Sequence, residues 1–499
     1  MAHTVFKNVF IHPAARRSHI LVQDGKIEAI DPADDHAPDY EGAKVIDLDG
    51  AFVYPGFRDA HCHLLSTAEA ALGLDASNFK SLDSLIEAGR QAIASGGVKG
   101  IYAKRLNETH FAHPVMPKAE DLDRISEDLP VIVVRVCGHL ASVNSRVLKD
   151  IPELAERAPD GVVLENDIDL LPSLRSFFTK DDLHRALKQT IEYMLSKGIT
   201  AISSNDLGRF GKDEDEALLD DVLSLFPGFS YRSQYAPHLP FDPKELEALA
   251  DVDGIKPAVK VFRDGSLGGK TAWLRKPYSD DKQTSGQDTL DDETHRAVFE
   301  TANRLGLQVM THAIGDEALS RTLDILESVS DPLNPLRHAI VHAQVTDDRL
   351  ISRMRNLALA AIVQPLFTRS DSKVAKRRLG TRYRKAYDFK QMANMGVKVA
   401  FSSDAPVEPL DPLLTLQAAL RGKPGDSLSA FSFDEALLHQ TKEAAFIDFE
   451  EENTGMLAVG FDADFAAFDR DLRLQDARTI SDAKCVMTVT KGHVWPPKS

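Results

Sequence analysis

Five residues of the kind that hold metal ions stand where strand-like runs of this chain end. Phe57-Arg58-Asp59-Ala60-His61-Cys62-His63 sets two imidazoles two residues apart. In extended chain such residues share a face, so His61 and His63 can offer nitrogens to one ion while Cys62 points away. With 17 histidines in 499 residues, about half a His-x-His pair arises by chance, so this pair alone says little. The others strengthen it: His312 ends Gly306-Leu-Gln-Val-Met-Thr-His, His342 ends Ala339-Ile-Val-His, and Asp404 ends Val397-Lys-Val-Ala-Phe-Ser-Ser-Asp. Each by itself is as readily a buried, hydrogen-bonded core residue. Together they make a ligand set for one or two divalent ions, with zinc favoured by the excess of imidazole.

Lys260, in Ala258-Val-Lys-Val-Phe, is the odd member. An ammonium beside two dications is repelled, and the plain alternative is a lysine paired with a carboxylate such as Asp264. Lys260 joins the ligands only if its amine is converted to a carbamate, whose two oxygens can bridge a metal pair. The expected chemistry is hydrolysis. Metals lower the pKa of bound water and polarise a scissile carbonyl. Asp404 is the catalytic proton shuttle, from the attacking hydroxide to the leaving nitrogen.

These residues need elements to position them. Strand-like runs at 51–58, 198–203, 229–236, 257–262, 306–311, 339–341, 357–363 and 397–402 number eight, the count that closes a barrel. Helical periodicity at 181–197, 291–305, 316–329 and 347–356 fills gaps between them. The reading is an α/β protein, a (β/α)8 TIM barrel whose site residues sit at the strands' C-terminal ends. Short strands near the start (4–11, 19–22, 26–30) and at the end (464–469, 485–491, 493–495) are expected to meet as a small β-sandwich. The expected divisions are 1–54 for the first part of the sandwich, 55–64 for the end of barrel strand 1, 65–180 for an insertion or lid, 181–451 for the rest of the barrel, and 452–499 for the second part of the sandwich. The insertion holds its own strand-like run at 131–136. It is expected on the active face, closing over a partly apolar pocket lined by residues such as Phe79, Tyr102, Phe111 and Leu140.

Bulk properties narrow the class. A net charge of −17 argues against nucleic acid and acidic membranes, leaving a small-molecule substrate as the expected partner and a homo-oligomer as compatible. Three separated cysteines, Cys62, Cys137 and Cys485, fit a reducing compartment. With no leader-like N-terminus and no apolar run of membrane-spanning length, a cytoplasmic enzyme is the expectation.

The string Tyr54-Pro-Gly-Phe-Arg-Asp-Ala-His-Cys-His-Leu resembles the first-strand signature of the amidohydrolase superfamily. So do Val259-Lys-Val-Phe-Arg-Asp-Gly, Thr311-His-Ala-Ile-Gly-Asp-Glu-Ala, Val341-His-Ala-Gln and Ser403-Asp-Ala-Pro-Val. The nearest branch resembles the N-substituted formamide deformylases, whose insertion is similar to Pro130-Val-Ile-Val-Val-Arg-Val-Cys-Gly-His-Leu-Ala-Ser-Val-Asn-Ser. Gly455-Met-Leu-Ala-Val-Gly-Phe-Asp-Ala-Asp-Phe resembles the superfamily's return to its sandwich. The resemblance implies His61, His63 and Asp404 on one metal, His312 and His342 on the other, and a carboxylated Lys260 between them. It also implies that His139 in the insertion reaches substrate. Ser203-Ser-Asn-Asp departs from the His-Asp commonly found near the second strand's end.

Lesser candidates follow. Asp264 and Trp273 flank a Gly-rich loop, Gly265-Ser-Leu-Gly-Gly-Lys, expected to lie over the site as substrate contacts or as a mobile surface loop. His338 reads as structural, and His110 with His113 as surface residues. The leading reading is hydrolysis of an amide or formamide-like C–N bond. Its rivals are a mononuclear-metal deaminase on the same barrel and a catalytically inactive barrel scaffold. The filled ligand positions argue against the scaffold.

Overall fold

The computed structural model of the protein describes residues 3–13, 16–33, 42–96, 98–112, 115–135, 140–209, 214–252 and 254–496. The chain clusters into two compact units, Met1–Leu64 with Ile191–Ser499, and Leu65–Thr190. Cys137, His139 and His113 lie outside the described residues. Among the described residues no helix is long and apolar enough to cross a membrane.

The first unit contains eight parallel strands in consecutive order: β1 (Phe57–Cys62), β2 (Ile199–Gly208), β3 (Ser230–Ala236), β4 (Ala258–Phe262), β5 (Val309–Ala313), β6 (Ala339–His342), β7 (Ala360–Val363) and β8 (Lys398–Phe401). Their near-continuous burial is what a sheet covered on both faces requires. Beyond β8 the barrel draws shut through the backbone: Asp404 N–H donates to the His61 carbonyl at 2.9 Å, and His63 N–H to the Ala405 carbonyl at 2.8 Å. The (β/α)8 expectation stands. Inside, Ala60, Ala258, Met310, Ile362 and Ala400 belong to a buried apolar cluster. Ala258 and Met310 each precede a candidate ligand, Lys260 and His312, by two residues and so share its face.

Local chemistry sets the helix ends. Asp291 caps Asp292–Leu305 by accepting from Thr294 N–H, and Gly306, at φ 66°, ends the helix in the left-handed region. That cap is why β5 begins at Val309 and not at 306 as the apolar run suggested. In the same way, 357–359 closes off helix Asp348–Asn356, and β7 starts at Ala360.

The expected first strand, 51–58, is divided in the structure. Phe52–Pro55 joins the terminal sheet, while Phe57–Cys62 enters the barrel, so His61 lies within its strand and not beyond it. Gly56 is the pivot. A Cβ there would lie 2.3 Å from Thr200 Oγ1, so only glycine lets β1 and β2 approach this closely. Both chain ends do build one β unit. Its eight strands form one hydrogen-bonded system, running from His493–Trp495 through Phe465–Phe468 and Phe52–Pro55 to Thr4–Ile11 and on to Lys26–Pro32. Thr4–Ile11 serves three neighbours, pairing antiparallel with Arg16–Gln23 and, in parallel, with Lys44–Asp47 by its first half and with Phe52–Pro55 by its last two residues. Phe6, Ile20, Val53, Phe465 and Val489 lie in the core of this sheet.

The second unit carries a five-stranded sheet in the order Val162–Leu164, Leu140–Val143, Val131–Arg135, Ile101–Leu106, Leu74–Asp75. Sequence reading found only the middle strand. Three of the residues proposed to line a pocket serve the unit's own cores: Phe111 is buried in one with Phe79 packed against it, and Tyr102 packs against the other.

Candidate metal centre

β1, β4, β5, β6 and the segment after β8 bring the predicted residues to one end of the barrel. His61 Nε2 and His63 Nε2 each stand 3.3 Å from Asp404 Oδ1. Ligand atoms of His61, His342 and Asp404 all lie within 4.8 Å of one another. The His312 and His342 rings are 4.5 Å apart between centroids. Two of the positions hold backbone that L-residues rarely adopt: φ is 76° at His342 and 58° at Asp404. Such strain persists where surrounding structure enforces it and is common at functional sites.

Hydrogen bonds assign each imidazole its tautomer. His63 Nδ1 meets the backbone carbonyl of Asn205 at 2.9 Å, and a carbonyl only accepts, so Nδ1 carries the proton. His61 Nδ1 meets Gln234 Oε1 at 2.7 Å; the same amide donates through Nε2 to the Ala60 carbonyl at 3.2 Å, which fixes which way it faces. His342 Nδ1 meets Gln364 Oε1 at 2.9 Å. Gln364 Nε2 donates to Ser402 Oγ at 2.8 Å, and Ser402 in turn donates to the Val363 carbonyl at 3.3 Å. Each chain ends on a carbonyl, so the Nε2 lone pairs of His61, His63 and His342 are directed toward the centre. His312 is the reverse, since its Nε2 faces the Gly265 carbonyl at 3.1 Å and its Nδ1 is the free nitrogen.

The consequence is electrostatic. Lone pairs of imidazole nitrogen and a carboxylate oxygen converge at 3.3 Å, which is repulsive without a positive charge among them. A proton on His63 supplies one answer: burial lowers its pKa, but the hydrogen bond and charge of Asp404 more than offset that and raise it. A divalent cation supplies another, and it alone also satisfies His342. Burial lowers the pKa of His61 to about 4 and takes His342 well below its usual range, keeping both neutral as metal ligands must be.

Lys260 completes the fit. Its side chain is fully buried and its Nζ has no hydrogen-bond partner among the described residues; it sits over the Phe262 ring, 3.6 Å from the centroid. The Asp264 pairing considered from sequence is not made. Burial, opposed in part by Asp404, lowers the Lys260 pKa to about 7, so an uncharged, nucleophilic amine is accessible near neutrality. An orphaned amine among acceptor-only ligands is a position that a carbamate and a cation would jointly satisfy.

Asp264 is not on the cavity lining among the described residues. Its carboxylate accepts Ile314 N–H at 3.0 Å and both Gly315 N–H and Trp273 N–H at 2.8 Å, and it stands 3.4 Å from His312 Nε2. It therefore ties the Gly-rich loop to the end of β5 and braces His312. The Trp273 ring lies beside Arg263, 5.0 Å from its guanidinium, and is not a cavity wall among the described residues. The loop's own contribution to the wall is Ser266, Leu267 and Gly268. The cavity is about 460 Å³, with His61, His63, His312, His342 and Asp404 on its lining. His110 is exposed, as expected.

Gln234, Gln364, Asn205 and Asp59 escaped the sequence reading. Asp59, on the face of β1 that carries His61, accepts Ser403 N–H at 3.0 Å and braces the closing seam; burial raises its pKa to about 6. The signal was a polar residue embedded in an apolar strand run, since burial without a partner is costly. The departure at 203–206 is explained too. Ser203 bonds Asp448 and Ser204 bonds Asp206, while Asn205 backs His63.

Comparison with known proteins agrees with the geometry. The model of the amidohydrolase family matches residues 44–495. The putative amidohydrolase YtcJ of Bacillus subtilis is 30% identical, with 100% of this chain and 99% of that protein covered. N-substituted formamide deformylase of Arthrobacter pascens is 23% identical over 91% of this chain and 90% of its own length. Among solved structures, an uncharacterized metal-dependent hydrolase from Pyrococcus furiosus superposes with a TM-score of 0.80 at 27% identity, covering 94% of this chain and 99% of that one. The chain belongs to the amidohydrolase family, as its motifs implied.

Proposed function

We propose that this amidohydrolase-family chain is a metal-dependent hydrolase that cleaves the C–N bond of a small amide or formamide. The observation that carries the reading is the convergence of Nε2 lone pairs from His61, His63 and His342 on the Asp404 carboxylate, beside a buried Lys260 amine without a hydrogen-bond partner among the described residues. Such a set suits one or two divalent ions, with zinc favoured by its imidazoles. His61, His63 and Asp404 would hold one ion, His312 and His342 a second. Lys260 would bridge them as a carbamate: its amine nitrogen bonds the carbon of CO2 and releases a proton, leaving a carboxylate in place of a cation. A divalent ion bound there acidifies water and polarises a carbonyl. Asp404 takes the proton from the nucleophilic water on its carboxylate and delivers it to the leaving nitrogen.

The cavity wall supports an amide with an apolar substituent. Phe262, Leu267, Ile314, Phe367 and Val407 supply hydrocarbon surface, while Asp371 and Glu408 disfavour a phosphoester or another anionic group. The named activity of the Arthrobacter relative agrees with this class. A partnerless Lys260 favours the bridged two-metal form over the one-metal deaminase. The test is turnover of matched formamides and acetamides with growing apolar N-substituents by zinc-loaded protein. kcat/KM should rise with apolar area, at about 25 cal/mol per Å² buried. A flat series beside a well-used phosphotriester or deaminase substrate rejects the proposal.

A further inference from the structure

We infer that Gln234 and Gln364 are positioning residues that set the ligand nitrogens of His61 and His342, and that the two differ in the replacement each will accept. The inference rests on the proposed metal centre. Each glutamine puts its Oε1 against an imidazole Nδ1, at 2.7 Å for Gln234 with His61 and 2.9 Å for Gln364 with His342. Both are fully buried. Partners of this kind fix the ring and direct Nε2 to the metal.

The asymmetry lies on the far side of each amide. Gln234 Nε2 donates to the Ala60 carbonyl, which can only accept. A glutamate at 234 would set a carboxylate oxygen against that carbonyl, two acceptors with no proton between them. Gln364 Nε2 donates instead to Ser402 Oγ, a hydroxyl that can turn and donate. A glutamate at 364 therefore keeps both contacts, His342 Nδ1–H on one oxygen and the Ser402 O–H on the other, once that hydroxyl turns from the Val363 carbonyl, which the Ser402 N–H still satisfies at 3.0 Å. It also adds a negative charge behind the imidazole, which raises the ring's basicity toward a cation. Methionine at either position keeps the volume and removes the acceptor.

Zinc affinity of the purified full-length chain, measured by competition with a chromophoric chelator, separates these cases. Gln234→Met and Gln364→Met should each bind zinc 10- to 100-fold more weakly than the parent. Gln364→Glu should bind at least as tightly as the parent, and Gln234→Glu should be weakened like the methionine variants. Selective 15N-histidine labelling of the metal-free chain reads the tautomers directly. His61 and His342 should be protonated on Nδ1 in the parent, and His342 should lose that preference in Gln364→Met but keep it in Gln364→Glu. Parent-like affinity in both methionine variants, equal responses to glutamate at the two positions, or Nδ1 tautomers unaltered by Gln364→Met would each overturn the inference. A parent chain that binds no zinc but shows these tautomers would reject the proposed function and leave the positioning roles standing.

Discussion

Asp404 donates its backbone N–H to the carbonyl of His61 at 2.9 Å while its carboxylate stands 3.3 Å from Nε2 of the same residue. The seam that draws the last barrel strand to the first is therefore also the edge of the candidate metal centre. An ion bound at this seam would tie the two ends of the barrel together, and its binding energy would add to folding stability.

Zinc should raise the unfolding temperature, and a chelator should lower it. At free metal a hundredfold above Kd the gain is about 2.7 kcal/mol. The effect should shrink in His342→Ala, which removes a ligand of the second ion without touching the seam's backbone bonds. A calorimetric scan indifferent to zinc in the parent would separate seam from metal.

Asp404→Asn should lower amide turnover by roughly 10²–10⁴, the range for a positioned acid–base group. Asparagine is close in shape and leaves the backbone bond to His61 available. Turnover near that of the parent would move the proton transfer to another group.

Asp264→Ala should be costly to the fold. Its carboxylate satisfies three backbone N–H groups, and leaving buried donors without an acceptor costs about 1–3 kcal/mol each. Stability to urea should drop by about 3 kcal/mol or more, with zinc content falling as His312 loses its brace. An Asp264→Ala chain as stable as the parent but with a raised KM would instead restore the substrate contact expected from sequence.

Stability should decline as pH falls below 6.5, and His338 should carry part of the loss. Val309 N–H donates to its Nδ1 at 3.0 Å and its Nε2 faces Asn303 Oδ1 at 2.9 Å, so the neutral ring is fully paired. Burial lowers its pKa from 6.5 to about 4. Between those values the unfolded chain binds the proton and the folded chain does not. The contribution is therefore complete above pH 6.5 and lost progressively toward pH 4, at about 1.4 kcal/mol per pH unit at most. Urea titrations with chelator present should show a shallower acid decline in His338→Gln. Parallel curves would remove His338 from the account.

The barrel and its ligands were legible because their signals are local. Eight apolar runs alternate with helical periods, and the histidines and Asp404 sit at the ends of those runs. Position 56 shows the limit: an apolar run from 51 to 58 reads as one strand, and only the close approach of Thr200 to Gly56 reveals two. The backbone-bracing contacts of Asp264 were not legible because its partners Ile314, Gly315 and Trp273 are brought in by tertiary packing. Gln234 and Gln364 carried no spacing relative to the histidines they back; 173 and 22 residues separate the pairs. The short strands of the second unit lack a repeating period over their few residues, so only 131–136 stood out.

Elemental analysis of zinc-dialysed protein tests the central claim most directly. One to two equivalents of zinc should remain on the parent chain, fewer on His342→Ala and Asp404→Ala, and chelation should abolish amide hydrolysis in step with metal loss. Protein that retains no transition metal, with amide turnover untouched by a strong chelator, would contradict it.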